Sequence, residues 1–165
     1  MSSELRVNRI IPVNGVPTGG GGGIIQMKQT VLPTDVSTTS TSFVDASGFS
    51  VTITPTSASN KILVVLSCRV NTSSGSNTNS RASISVFRDA TNIVNQFVGT
   101  FFGGVTGNDF NTYNSTNTSY LDSPATTSSI TYQVKFASDN SACTTSINGG
   151  SSPPRSYLTV MEVSG

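Results

Sequence analysis

The sequence predicts an all-β chain: a jelly-roll-like antiparallel sandwich over residues 24–165 behind an extended N-terminal arm. Three observations point there. Short apolar segments recur along the chain, and the clearest of them alternate with a period of two. Turn-forming residues separate these segments at roughly the 8–12-residue spacing of sandwiches and jelly rolls. Ser and Thr supply 51 of the 165 residues. These residues, with Asn, Gly and the β-branched side chains, have weak helix propensity, and no 3.6-residue apolar stripe runs beyond two turns.

The arm comes first, over residues 1–18. Leu5, Val7, Ile10, Ile11, Val13 and Val16 make it apolar, Arg6 and Arg9 punctuate it, and Pro12, Pro17 and Asn14-Gly15 break it. Leaving that apolar surface in water costs roughly 25 cal/mol per Å². Three readings follow: a solvated tail, a strand folded back on its own domain, or a peptide that anchors on another protein by strand addition or groove binding. Gly19, Gly20, Gly21, Gly22 and Gly23 form a hinge without Cβ atoms, which weakens a fixed fold-back. The anchoring reading is favoured, with Leu5, Arg6, Val7, Arg9, Ile10, Ile11 and Val13 as its contact residues.

Strands are expected in order from Ile24 onward. Phe49-Ser50-Val51-Thr52-Ile53-Thr54 alternates, and Lys61 to Val70 is apolar on both faces through its middle, which suits a central strand buried on both sides. Ser83-Ile84-Ser85-Val86 alternates into a hairpin turn at Asp89-Ala90-Thr91-Asn92, with Ile93-Val94 beyond it. Ile130 to Phe136 places Ile130, Tyr132, Val134 and Phe136 on one face, and Tyr157 to Val163 closes the chain. Eight to ten strands fit. Loops are expected at 55–60, 71–80, 103–108, 122–125 and 148–154.

Composition excludes several classes of function. The chain has no His, which removes Ser-His-Asp and Cys-His catalysis and most zinc sites. Nine basic against eight acidic residues give a net charge of +1 and no nucleic-acid footprint. No apolar run is long enough to span a membrane, and the N-terminus lacks the layout of a secretory signal. Cys68 and Cys143 form no metal spacing and are expected as two buried thiols. No catalytic residue, metal or cofactor is therefore assigned, and the chain is not expected to be an enzyme.

Residues Ser3 to Thr18, Ser3-Glu4-Leu5-Arg6-Val7-Asn8-Arg9-Ile10-Ile11-Pro12-Val13-Asn14-Gly15-Val16-Pro17-Thr18, followed by the glycine run, resemble the N-terminal segment of small virion proteins of tailed bacteriophages, particularly marine and cyanobacterial ones. Residues 37–45 and Ser57 to Leu66 resemble the first part of the globular region of the same group. The resemblance implies a fibre, spike or decoration on the virion exterior, made in the host cytoplasm. Its arm would dock on a head or tail protein, and its β-domain would project as a homotrimer. The globular zone also looks like the trimeric jelly-roll heads of complement-globular-head and tumour-necrosis-factor proteins, an analogy of fold that carries no function by itself.

Two further groups are candidates. Phe101 and Phe102 are adjacent and must face opposite ways in an extended chain, so one of them, with Phe97, is a candidate for a subunit interface. The alternative places one in the core and one beneath a loop. Asn108 to Asn114 mixes amides, a carboxylate and aromatics, and Asp109, Asn111 and Tyr113 are candidate contacts for host-surface glycans. An ordinary polar loop is the alternative, and a stand-alone carbohydrate-binding module is the second reading of the whole chain. Asp109 with Asp122 as a glycosidase pair is a weak reading, because loop Asp more often bonds its own backbone.

Overall fold

The computed structural model describes residues 23–74, 80–100, 110–149 and 156–165. The arm, Gly19 to Gly22, and residues 75–79, 101–109 and 150–155 lie outside them. Ten strands are present: β1 (Ile24–Val31), β2 (Val36–Thr38), β3 (Val44–Ile53), β4 (Lys61–Ser74), β5 (Ser80–Arg88), β6 (Thr91–Thr100), β7 (Phe110–Asp122), β8 (Ile130–Ser138), β9 (Cys143–Ile147) and β10 (Tyr157–Val163). No helix occurs among the described residues.

Register turns these ten segments into eight rows. One edge of β4 pairs with β10 from Lys61 to Ser67 and with β9 from Val70 to Ser74. β9 and β10 therefore run end to end in one row. β1 pairs with β10 and β2 pairs with β9, so β1 and β2 form the next row, which is the sheet edge. The other edge of β4 pairs with β7 along its length. The second sheet has the order β3-β8-β5-β6. Counted as rows in chain order, the antiparallel partners are first with eighth, second with seventh, third with sixth and fourth with fifth. A single long antiparallel ribbon, folded over into two four-row sheets, is a jelly roll.

The core lies between the sheets. Ile62, Val64, Leu66, Cys68 and Val70 of β4 face Phe49, Val51 and Ile53 of β3, Ile84 and Val86 of β5, and Tyr132, Val134 and Phe136 of β8. Period-two alternation produces this layer, since each strand sends every second side chain inward. In β3 the register shifts between Asp45 and Ser50, and Gly48 in that bulge has φ +76. A left-handed residue at a bulge favours glycine.

The expected strands at Ile130–Phe136 and Tyr157–Val163 are present, the second with the same bounds. Three expectations need correction. The polar tract 71–80 does not begin as a loop: Asn71 to Ser74 continue β4 because β7 and β9 pair with them from both sides. Hydrogen-bonded neighbours override weak β-propensity here. Asp122 is the last residue of β7 and not part of a loop. Through its apolar middle β4 is fully buried on one face only, since Leu63, Val65 and Ser67 are half-buried on the other.

Candidate interaction face

The jelly roll gives the domain two distinct ends. At one end Gly23 enters β1, where the Ser164 amide donates to the Gly23 carbonyl at 3.4 Å. Residues 54–60, the Asp89-Ala90 turn and residues 123–129 connect strands at this same end. At the opposite end β4 and β6 finish and β5 and β7 begin. The two ends are about 40 Å apart along β4, from Lys61 to Ser73, at roughly 3.3 Å per residue.

The outer face of the β7-β4-β9/β10-β1/β2 sheet changes character between those ends. Near the Gly23 end, Met27 pairs with Met161, Met161 with Leu63, and Leu63 with Leu121. Paired residues share a face, so these four form one apolar row across the sheet. Met27 is 62% exposed and Leu121 48%. Towards the far end the face becomes polar. Arg69, Asn71 and Ser73 of β4 lie opposite Ser115, Tyr113 and Asn111 of β7.

Two of the three proposed glycan contacts, Asn111 and Tyr113, meet in this polar half. The Asn111 Nδ2 donates to the Tyr113 hydroxyl at 3.2 Å, and the Asn71 Nδ2 donates to the Asn111 Oδ1 and to the Thr112 carbonyl at 3.0 Å. The Arg69 guanidinium lies 4.6 Å from the centre of the Tyr113 ring, in cation–π contact. Tyr113 is 51% exposed. The arrangement is a platform of one half-exposed ring and the exposed Asn111 amide, which the buried Asn71 amide holds in place. Asp109 lies outside the described residues. So do the seven proposed anchoring residues from Leu5 to Val13, Phe101, Phe102 and the Phe97 side chain. Arg69 and Asn71 were not anticipated, although the period of two along Lys61 to Val70, carried one residue further, sets both on the same face as Leu63 and Val65.

The ionisable groups elsewhere serve the fold. Asp122 is buried and accepts from Arg88 Nη1 at 2.7 and 2.9 Å and from the Tyr132 hydroxyl at 2.7 Å. Burial, with the Asp122 hydrogen bond and charge, drives the Tyr132 phenol well above its ordinary range. Glu162 is buried with four donors around it: Gln26 Nε2 and Asn60 Nδ2 at 2.6 Å, and the Thr56 amide and hydroxyl at 2.7 and 2.8 Å. Burial raises its carboxyl, but the hydrogen bonds outweigh burial and bring it down to about 2. Cys68 and Cys143 are buried thiols. Among the described residues no group of three His, Cys, Asp or Glu side chains could hold a metal, and no helix is long and apolar enough to cross a membrane.

No protein-family model matches the chain, and no curated protein matches it. The solved structures that it matches include particles of infectious bursal disease virus. A VP2 subviral particle of that virus is 13% identical over 84% of this chain and 38% of its own, with a TM-score of 0.40. A structure of the Gx strain is 12% identical over 99% and 45%, with a TM-score of 0.33, and the T13 viral particle is 10% identical over 99% and 41%, with a TM-score of 0.34. This chain thus spans less than half the length of each.

Proposed function

We propose that the chain is a virion structural protein of a tailed bacteriophage, placed on the particle exterior. Residues 1–18 dock on a head or tail protein. The jelly roll projects as a homotrimer and presents its far end to the host surface. Its action is binding, with no bond made or broken. The observation that carries this reading is the polarity of the domain. The arm joins at the Gly23 end, and the Asn111–Tyr113 platform lies near the opposite end of β4. A particle-bound end and an outward end are what an attached appendage needs. The resemblance of residues 3–18 to phage virion proteins supports the choice of particle, and jelly rolls are common in viral coats and lectins.

Electron cryomicroscopy of intact particles tests the proposal. The expected map has the Gly23 end against the particle and Tyr113 facing outward. Density in which Tyr113 is buried against the particle overturns the orientation. Copy number per particle then separates a shell decoration from a tail fibre.

Stand-alone glycan binding is the second reading, favoured by the half-exposed Tyr113 ring over Arg69. It expects the isolated protein to bind host polysaccharide and Tyr113→Ala to abolish that binding with little change in stability.

A further inference from the structure

We infer that the Asn148–Gly149 peptide is a site of spontaneous deamidation, and that the fold both imposes this reactive pair and guards it. Asn followed by Gly is the sequence most open to the reaction, because the glycine brings no Cβ to hinder its own amide as it nears the carboxamide. The Gly149 nitrogen gives its proton to water and bonds to Asn148 Cγ. The Cγ–Nδ2 bond breaks, and Nδ2 takes a proton from water and leaves as ammonia. A water molecule then opens the succinimide ring at either carbonyl. The product is an aspartate, or an isoaspartate whose main chain runs through the former side chain. Water is the only other reactant.

Structure fixes both residues. Asn148 has φ +64, a conformation that Asn tolerates better than most side chains. It is fully buried, and its carboxamide is held at both ends: Nδ2 donates to the Leu32 carbonyl at 3.1 Å, and Oδ1 accepts from the Ser156 hydroxyl at 2.6 Å. Its backbone amide donates to the Arg69 carbonyl at 3.0 Å. Gly149 lies close against β4 and β9. A Cβ there would stand 3.0 Å from Ser146 Cβ and 3.3 Å from Asn71 Cβ, inside the roughly 3.5–4.0 Å of ordinary carbon contacts. A less reactive pair would lose the bridge or crowd the strands.

Those contacts also oppose the reaction. Cγ must swing towards the Gly149 nitrogen, and the bonds at both ends of the carboxamide must break first. Reaction therefore waits for this corner, or the whole domain, to open. The products do not fit the closed form. Aspartate sets a buried carboxylate oxygen against the Leu32 carbonyl, where a donor stood, and a buried unpaired charge is strongly disfavoured. Isoaspartate displaces Gly149 from its place beside Ser146 and Asn71. Deamidation thus belongs to the open chain and blocks its return, which makes unfolding irreversible with time.

The test incubates the full chain in mildly alkaline buffer, folded and in urea, and reads each asparagine by peptide mass spectrometry. In urea Asn148 and Asn14, each followed by Gly, are expected to react at similar rates and ahead of the other asparagines. Folded, Asn148 is expected to react more than about tenfold more slowly than in urea. Ser156→Ala releases Oδ1 and is expected to raise the folded-state rate several-fold above that of Tyr132→Phe, a destabilising change on the opposite sheet. Both variants are expected to match the unaltered chain in urea. Chains aged in urea and then freed of it are expected to show a lowered urea midpoint or to lack the circular-dichroism spectrum of the β-domain. Asn148 reacting in urea no faster than asparagines without a following Gly overturns the site. Equal rates folded and in urea overturn the guarding, and equal folded-state rates in the two variants overturn the clamp by Ser156. Aged chains that refold with the unaltered midpoint overturn the rejection of the product.

Discussion

Asn148 and Ser156 close the break between β9 and β10: the Ser156 hydroxyl donates to Asn148 Oδ1 at 2.6 Å. Around that bond the interruption is satisfied on both sides. The Arg69 amide of β4 donates to Ser156 Oγ at 3.0 Å, and the Arg69 carbonyl accepts from the Asn148 amide at 3.0 Å. Asn148 Nδ2 donates to the Leu32 carbonyl at 3.1 Å, where the β1–β2 row is itself broken. Two adjacent rows are thus interrupted beside each other, and one buried amide serves both.

Asn148→Ala is expected to destabilise the domain by about 2–3 kcal/mol, because it strips buried partners and puts Ala at positive φ. Asn148 has φ +64. Urea unfolding checks this, and Ser156→Ala, which keeps an ordinary backbone, is expected to cost less.

Asp122, Arg88 and Tyr132 tie β7 to β5 and β8 across the core. Removing one member of a buried ion pair costs about 3–5 kcal/mol, since the partner charge is left uncompensated. Arg88 keeps some contact with water, at 24% side-chain exposure, so Asp122→Ala is expected at the lower end of that range. Tyr132→Phe loses only the hydroxyl bond to a charged group, about 1.5–3 kcal/mol. Thermal or urea denaturation of both variants gives the order.

Glu162 makes stability depend on acid. Its folded carboxyl titrates at about 2 against an ordinary 4.5. A depressed folded value contributes stability above the unfolded value and loses it as pH falls through the folded one. The urea midpoint is therefore expected to drop between about pH 4.5 and 2, and Glu162→Gln, with an amide facing donors, to flatten that part of the profile.

Burial pushes the Cys68 thiol up to about 12, against a lowering hydrogen bond with Ser156. Only the thiolate attacks disulfide reagents. At about pH 8 the native protein is expected to leave Cys68 unmodified by a thiol-specific disulfide reagent, and denaturant to release it.

Much of this fold was legible from alternation. Ile130 to Phe136 could be placed because apolar and polar residues alternate along it at period two. Tyr157 to Val163 does not alternate in this way: period two puts Glu162 on one face with Leu158 and Val160, but only the structure shows that this face is the buried one that holds Glu162. Its donors were not visible, since Thr56 and Asn60 sit in a loop a hundred residues away in sequence. The end of β4 was hidden for a different reason: Asn71 to Ser74 have loop composition, and only pairing with β7 and β9 makes them strand. Asp122 read as a turn former because nothing local reveals that Arg88 and Tyr132 converge on it. Of the site, Asn111 and Tyr113 were anticipated, while Arg69 and Asn71 arrive through β4–β7 register.

Attachment through residues 1–18 is the claim on which the functional account turns. Co-sedimentation of the purified protein with phage particles lacking it tests that claim most directly, comparing the full chain with one that begins after residue 18. The account predicts that the shortened chain keeps the circular-dichroism spectrum of a β-domain and stays in the supernatant while the full chain pellets. A shortened chain that pellets with particles as completely as the full one contradicts it.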